Sequence, residues 1–106
     1  MELKVIVRGA RDGGAIRELA QKRVTTALRR HSKEIRSAMV RLVDETGPRK
    51  HGNDKFCSIE LELRGGPIRI SEVSDDFKVS LSLALNRVRA SLSRMLSKRK
   101  RGIGEG

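Results

Sequence analysis

Few side chains in this 106-residue chain could make or break a covalent bond. The candidates are His31, His51, Cys57 and the carboxylates Glu60 and Glu62. Both histidines lie in or beside basic segments, "LRRHSK" and "PRKHGN", with no cysteine, histidine or aspartate at a metal-holding spacing. They read as surface imidazoles near positive charge. Cys57 occupies an inward position of an alternating strand, where a thiol packs as a small apolar group. Glu60 and Glu62 share the opposite side of that strand and could form an acid–base pair. At that spacing they are more simply solvated or cross-strand partners of bases. "RGGP" is too short to cradle a phosphate, and no Gly-rich turn leads into a Lys-Ser/Thr helix start. No catalytic site, metal or cofactor is expected, and no small-molecule substrate.

The chemistry that the sequence does organise is attraction of phosphate. Lys and Arg total 24 against 13 Asp and Glu, a formal net charge of +11 with pI near 11.1. A small domain this basic gains free energy by releasing the counterions condensed on a polyanion. Arg87, Arg94, Lys98 and Arg101 recur at steps of seven, four and three, which puts them along one helix face. No acid interrupts the bases between Ala84 and Lys100. An earlier segment offers Arg17, Lys22, Arg23, Arg29 and Arg30, with Lys33 close behind. Between them, the loop Gly47–Lys55 is kept irregular by Gly and Pro and carries Arg49, Lys50 and Lys55. Two such helices side by side would present one electropositive surface, and the loop would act as a mobile phosphate-contacting arm. Base reading is another matter. There is no Trp or Tyr, and Phe56 is the one ring free of the core pattern. Recognition by stacking on several aromatics is excluded, which leaves the backbone and shape of a folded RNA.

These cations must be held by a scaffold, and its elements are legible. "ELKVIVRG" alternates Leu3, Val5 and Val7 against Lys4, Ile6 and Arg8, a half-buried strand. From Ala15 to about His31, Ile16, Leu19, Ala20, Val24, Ala27 and Leu28 follow helical spacing. A second strand carries Ala38, Val40 and Leu42 on one side and Met39, Arg41 and Val43 on the other. A third turns Cys57, Ile59, Leu61 and Leu63 inward. "RGGP" makes a tight turn into a short fourth strand, "IRISEV". "SDD" then caps a long helix whose stripe runs Phe77, Leu81, Ala84, Leu85, Val88, Leu92, Met95 and Leu96 to about Arg99. The order β-α-β-β-β-α predicts an α+β two-layer sandwich, a four-stranded sheet with two helices packed on one face. Residues 1–100 form one domain in this reading, and 101–106 a basic, glycine-rich tail expected to fray.

Taken together, "AIRELAQKRV", "GPRKHGNDKFCSIELELRGG" and "SDDFKVSLSLALNRVRASLSRMLSK" resemble the first helix, loop-plus-strand and second helix of a known family. It is the ribosome hibernation-promoting factor and ribosome-associated inhibitor family, in its short form. The resemblance covers nearly the whole chain and rests on the order and spacing of the pieces. It implies the same β-α-β-β-β-α fold. It also implies binding to ribosomal RNA of the small ribosomal subunit, in the messenger and transfer RNA channel, so that idle ribosomes are silenced. Arg17, Arg23 and Arg29 match basic positions of the family's first helix, and Arg87 and Arg94 those of its second. Lys78 stands where the family usually has an aromatic, and Thr25 and Thr26 replace bases of the first helix. Long members add a dimerising domain that joins two ribosomes. With no such segment after Gly106, self-driven pairing is not expected, and the free protein is expected to be monomeric.

Two other classes share some of these features. The loop "GPRKHGNDKF" is similar to that of double-stranded RNA-binding domains, which lack a first strand and begin their last helix with lysines. Here a strand comes first and the last helix begins "SDDF". A protein-binding module could use an outer sheet face bearing Ile6, Met39 and Val43. The start "MELKVIVRGARDGG" is broken by charge too often for a leader, and no apolar run reaches membrane length. One cysteine cannot form a disulfide within the chain, so a reducing, cytoplasmic setting without membrane partners is expected.

Overall fold

The computed structural model describes the backbone of residues 1–45 and 54–105 and the side chains of 1–45 and 54–97. Its elements are β1 (Glu2–Arg8), α1 (Gly13–Leu28), a 3-10 turn (Arg29–His31), β2 (Ile35–Asp44), β3 (Lys55–Leu63), β4 (Gly66–Ser74) and α2 (Phe77–Glu105). The strands lie in the order β1-β2-β3-β4. β1 and β2 are parallel, and β2–β3 and β3–β4 are antiparallel. This is the expected two-layer α+β sandwich, with both helices packed against the sheet.

Register follows the apolar alternation. Val5 faces Val40, Val40 faces Ile59 and Ile59 faces Ile70, a row across all four strands on the helix side. A one-residue slip would move every such side chain into water, so one buried face is enough to fix the pairing. Ala20, Val24 and Leu28 of α1 and Phe77, Leu81, Ala84, Leu85, Val88 and Leu92 of α2 close over it, all buried. Burying a side chain of Leu or Val size is worth about 1.5–3 kcal/mol, so this one layer dominates stability. Ile6, Met39 and Val43 fall on the opposite face, as the alternation predicts, beside Phe56 and Val73.

The helix ends depart somewhat from the pattern. α1 begins at Gly13 and gives way to a 3-10 turn after Leu28, the last of its buried positions. β4 is longer than "IRISEV" because it pairs with β3 from Gly66 onwards. α2 continues to Glu105, past the end of its apolar stripe at Leu96. Its start is capped as expected: the Asp76 carboxylate accepts the Lys78 N–H at 2.7 Å, and Ser74 Oγ accepts the Asp76 N–H at 3.1 Å.

Beyond β1 the chain must pass very close to β2. Gly9 adopts φ +77°, and a Cβ there would sit 2.7 Å from the carbonyl oxygen of Asp44. Only glycine satisfies both the left-handed backbone and that approach. Gly9→Ala should therefore destabilise the domain by about 2 kcal/mol or more. The check is a lower urea midpoint with an unchanged m-value.

Cys57 lies fully buried on the helix side, and burial, aided by the charge of Glu72, pushes its thiol up to about 12. The native protein should resist thiol reagents at pH 8 and react at once when unfolded. Because the native state holds this proton where the unfolded chain releases it, stability should fall as pH rises from about 9 towards 12. That part of the fall should be missing from Cys57→Ala.

Candidate nucleic-acid interface

The topology decides how the helices meet. α1 carries the chain back from the end of β1 to the start of the parallel strand β2, so it runs against both. α2 leaves the end of β4, which runs parallel to β2, and returns over β4 and β3. The two helices therefore lie side by side and run the same way.

Between them is an open groove of about 370 Å³, lined by Lys22, Arg23, Thr26 and Ala27 of α1 and Ser82, Leu85, Asn86 and Arg89 of α2. Among the described residues, three cations line it and no carboxylate does. Arg23 Nη1 donates to Ser82 Oγ at 3.1 Å, and Arg89 Nη2 donates to Asn86 Oδ1 at 3.1 Å. Both acceptors are neutral, so each guanidinium is oriented while its charge stays uncompensated. Hydroxyls, an amide and three cations above an apolar floor make a cradle for phosphate oxygens.

The expected site residues divide among several places. Lys22 and Arg23 line the groove. Arg29 and Arg30 are exposed on the 3-10 turn that continues α1. Arg17 is also exposed, but at about 100° per residue it falls on the flank of α1 away from Arg23. Arg87 lies on the β4 side of α2, where Nη1 pairs with Glu72 Oε2 at 2.5 Å and reaches the Ser71 carbonyl at 3.3 Å. Arg94 shares that flank and is exposed, with Ser91 Oγ 3.5 Å from its Nη2. The row Arg87–Arg94 and the row Lys22–Arg23 are therefore not one continuous face, because α2 stands between them.

Lys55 needs revision as a phosphate ligand. It opens β3, and its Nζ sits 2.8 Å from Asp54 Oδ1 and 3.2 Å from Asp44 Oδ2. The hydrogen bond that its ammonium donates to Asp54, with that to Asp44, holds its pKa above the ordinary lysine value. Two carboxylates already satisfy this cation, which ties the ends of β2 and β3 together. Arg49 and Lys50 lie outside the described residues, as do the side chains of Lys98 and Arg101.

Sequence reading missed Arg89. Its signal was the spacing 82-85-86-89, a helix stripe flanking the apolar one on the side opposite Arg87. Glu60 behaves as read, its Oε1 accepting from Arg69 Nε at 2.8 Å across the β3–β4 pair, whereas Glu62 is exposed opposite Pro67. Among the described residues, no group of three His, Cys, Asp or Glu could hold a metal ion, and no helix is long and apolar enough to cross a membrane.

Comparison with known proteins adds fold-level support. No protein-family model matches the sequence, and no curated protein matches it either. Two solved structures share the fold. A ribosomal subunit interface protein from Coxiella burnetii superposes with a TM-score of 0.70 at 22% identity, covering 92% of this chain and 99% of that one. The N-terminal domain of Protein Y from Thermus thermophilus gives 0.68 at 22% identity, covering 90% and 99%. The fold that the sequence resemblance implies is thus shared over 92% and 90% of this chain.

Proposed function

We propose that this protein binds the small ribosomal subunit through ribosomal RNA, occupies the messenger and transfer RNA channel, and so silences idle ribosomes. The observation that carries this reading is the acid-free groove of Lys22, Arg23 and Arg89 between two helices running in the same direction. The fold supports it, since one of its structural neighbours is described as a ribosomal subunit interface protein. The acidic start of α2 and the presence of β1 argue against a generic duplex-binding domain. Phosphate contacts would fix the protein's position and supply most of the salt-dependent affinity.

Cosedimentation with purified subunits at low and high salt, followed by in vitro translation, tests this reading. The wild type should travel with small subunits and inhibit translation. Reversing Arg23 and Arg89 together to Glu should abolish both, with the helical circular dichroism unchanged, since both side chains are exposed. Equal affinity for naked duplex RNA, with no effect on translation, would sink the ribosome reading in favour of the duplex-binding one.

Glu72 offers a second test with the opposite sign. It neutralises Arg87 in the free protein, so Glu72→Gln should release that guanidinium to an RNA phosphate. Binding should tighten, and the slope of log K against log salt should steepen by about one unit. Weaker binding by Glu72→Gln would show that Arg87 acts only while Glu72 positions it.

A further inference from the structure

A second cluster of cations joins Lys33 to two arginines from other segments. Lys33, Glu34, Arg36 and Arg64 line a cleft of about 300 Å³ at the end of the sheet opposite the β2–β3 connection. Three separate segments build it. Lys33 and Glu34 lie between the 3-10 turn and β2, Arg36 sits at the start of β2, and Arg64 opens the β3–β4 turn. The pairing of β2 with β3 shifts register between Ile35 and Ser37, which leaves Arg36 without a cross-strand partner.

None of the three cations makes an ion pair or a side-chain hydrogen bond among the described residues, although Glu34 stands beside them. Elsewhere this chain does use its acids: Arg69, Arg87 and Lys55 each have a carboxylate partner. Convergence of three unneutralised cations from three segments costs repulsion that a bound anion would relieve.

The position also matters. α1 runs towards this end of the sheet, and Arg23 and Arg30 are seven residues apart, so about 10 Å separates them along the axis. Arg29 and Arg30, exposed on the 3-10 turn, thus stand between the groove and the cleft.

We propose that Lys33, Arg36 and Arg64 form a second phosphate-binding site, which continues the groove interface round the end of the sheet onto one RNA backbone. The continuity rests on the ribosomal RNA reading above, whereas the site itself does not, and the two are tested separately. For the site, inorganic tripolyphosphate is titrated into the labelled protein and followed by amide NMR. Saturable shifts should appear at residues 33–36 and 64–66, and vanish in Arg36→Gln/Arg64→Gln. Absent or non-saturating shifts there overturn the site, whatever ribosomes do.

For the continuity, the same double variant is cosedimented with small subunits across a salt series. Its slope of log K against log salt should flatten by about 1.4–1.8 units, two contacts' worth, with circular dichroism unchanged. An unchanged slope, with the groove variant Arg23→Glu/Arg89→Glu losing binding, overturns the continuity and leaves the ribosome reading standing. If wild type fails to bind subunits at all, that reading and the continuity fall together, while the tripolyphosphate result still decides the site.

Discussion

The sheet has one apolar face, and covering that face takes two helices laid side by side. Most of the molecule follows from this constraint. A single helix is about 10 Å across, while four strands about 4.8 Å apart span nearly twice that. α1 covers the β1 side and α2 covers β3 and β4. Because β1 and β2 are parallel, α1 has to serve as their crossover, which sets its direction. The direction of β4 sets that of α2. The groove is therefore a by-product of core burial: wherever two helices lie on a sheet, their facing flanks make a trough. This sequence places Lys22 and Arg23 on one flank and Arg89 on the other.

Charge is distributed with the same economy. The carboxylates that pair do so on or beside the sheet: Asp44 and Asp54 with Lys55, Glu60 with Arg69, and Glu72 with Arg87. The more exposed of these, Glu60–Arg69 and Glu72–Arg87, contribute little to stability. Their consequence is local neutralisation. The sheet edge near α2 and the mouth of the β2–β3 connection are partly discharged, while the trough between the helices keeps its positive field. A chain with formal charge +11 repels itself, and the repulsion is greatest where cations converge without acids. The same places gain most from a polyanion.

How far the sequence led can be argued residue by residue. Strand faces were legible because a half-buried sheet imposes strict alternation, and Val5, Val40, Cys57 and Ile59 obey it without exception. The caps of α2 were legible because "SDD" supplies oxygens where orphan N–H groups need acceptors. The cation pattern was harder. Helical periodicity put Arg87 and Arg94 on one face, and they share one. It could not tell which flank faces the neighbouring helix, since that depends on tertiary packing. Arg87 therefore turns out to meet Glu72, and Arg89 takes the groove. Lys55 looked like part of a basic loop, but its fate was decided by Asp44, eleven residues earlier and opposite it in the ladder. The cleft of Lys33, Arg36 and Arg64 was invisible for the same reason, since its members meet only when β2 and β3 pair.

The scarcity of aromatic rings bears on what such a surface could recognise. Phe77 is spent in the core, and Phe56 lies half-buried on the outer sheet face between Val43 and Val73, away from the cations of the groove. Among the described residues, no ring lines the groove beside Lys22, Arg23 and Arg89 to receive a base. Contacts made there would go to phosphate and sugar, which carry no sequence information of their own. Selectivity would have to come from the spacing of phosphates, fixed by how an RNA is folded. A rigid pair of helices presenting cations at set intervals suits a rigid partner of matching shape, and gains little from a flexible single strand. Affinity resting on counterion release is also readily reversed by competing polyanions. That property would suit the reversible channel occupancy proposed above.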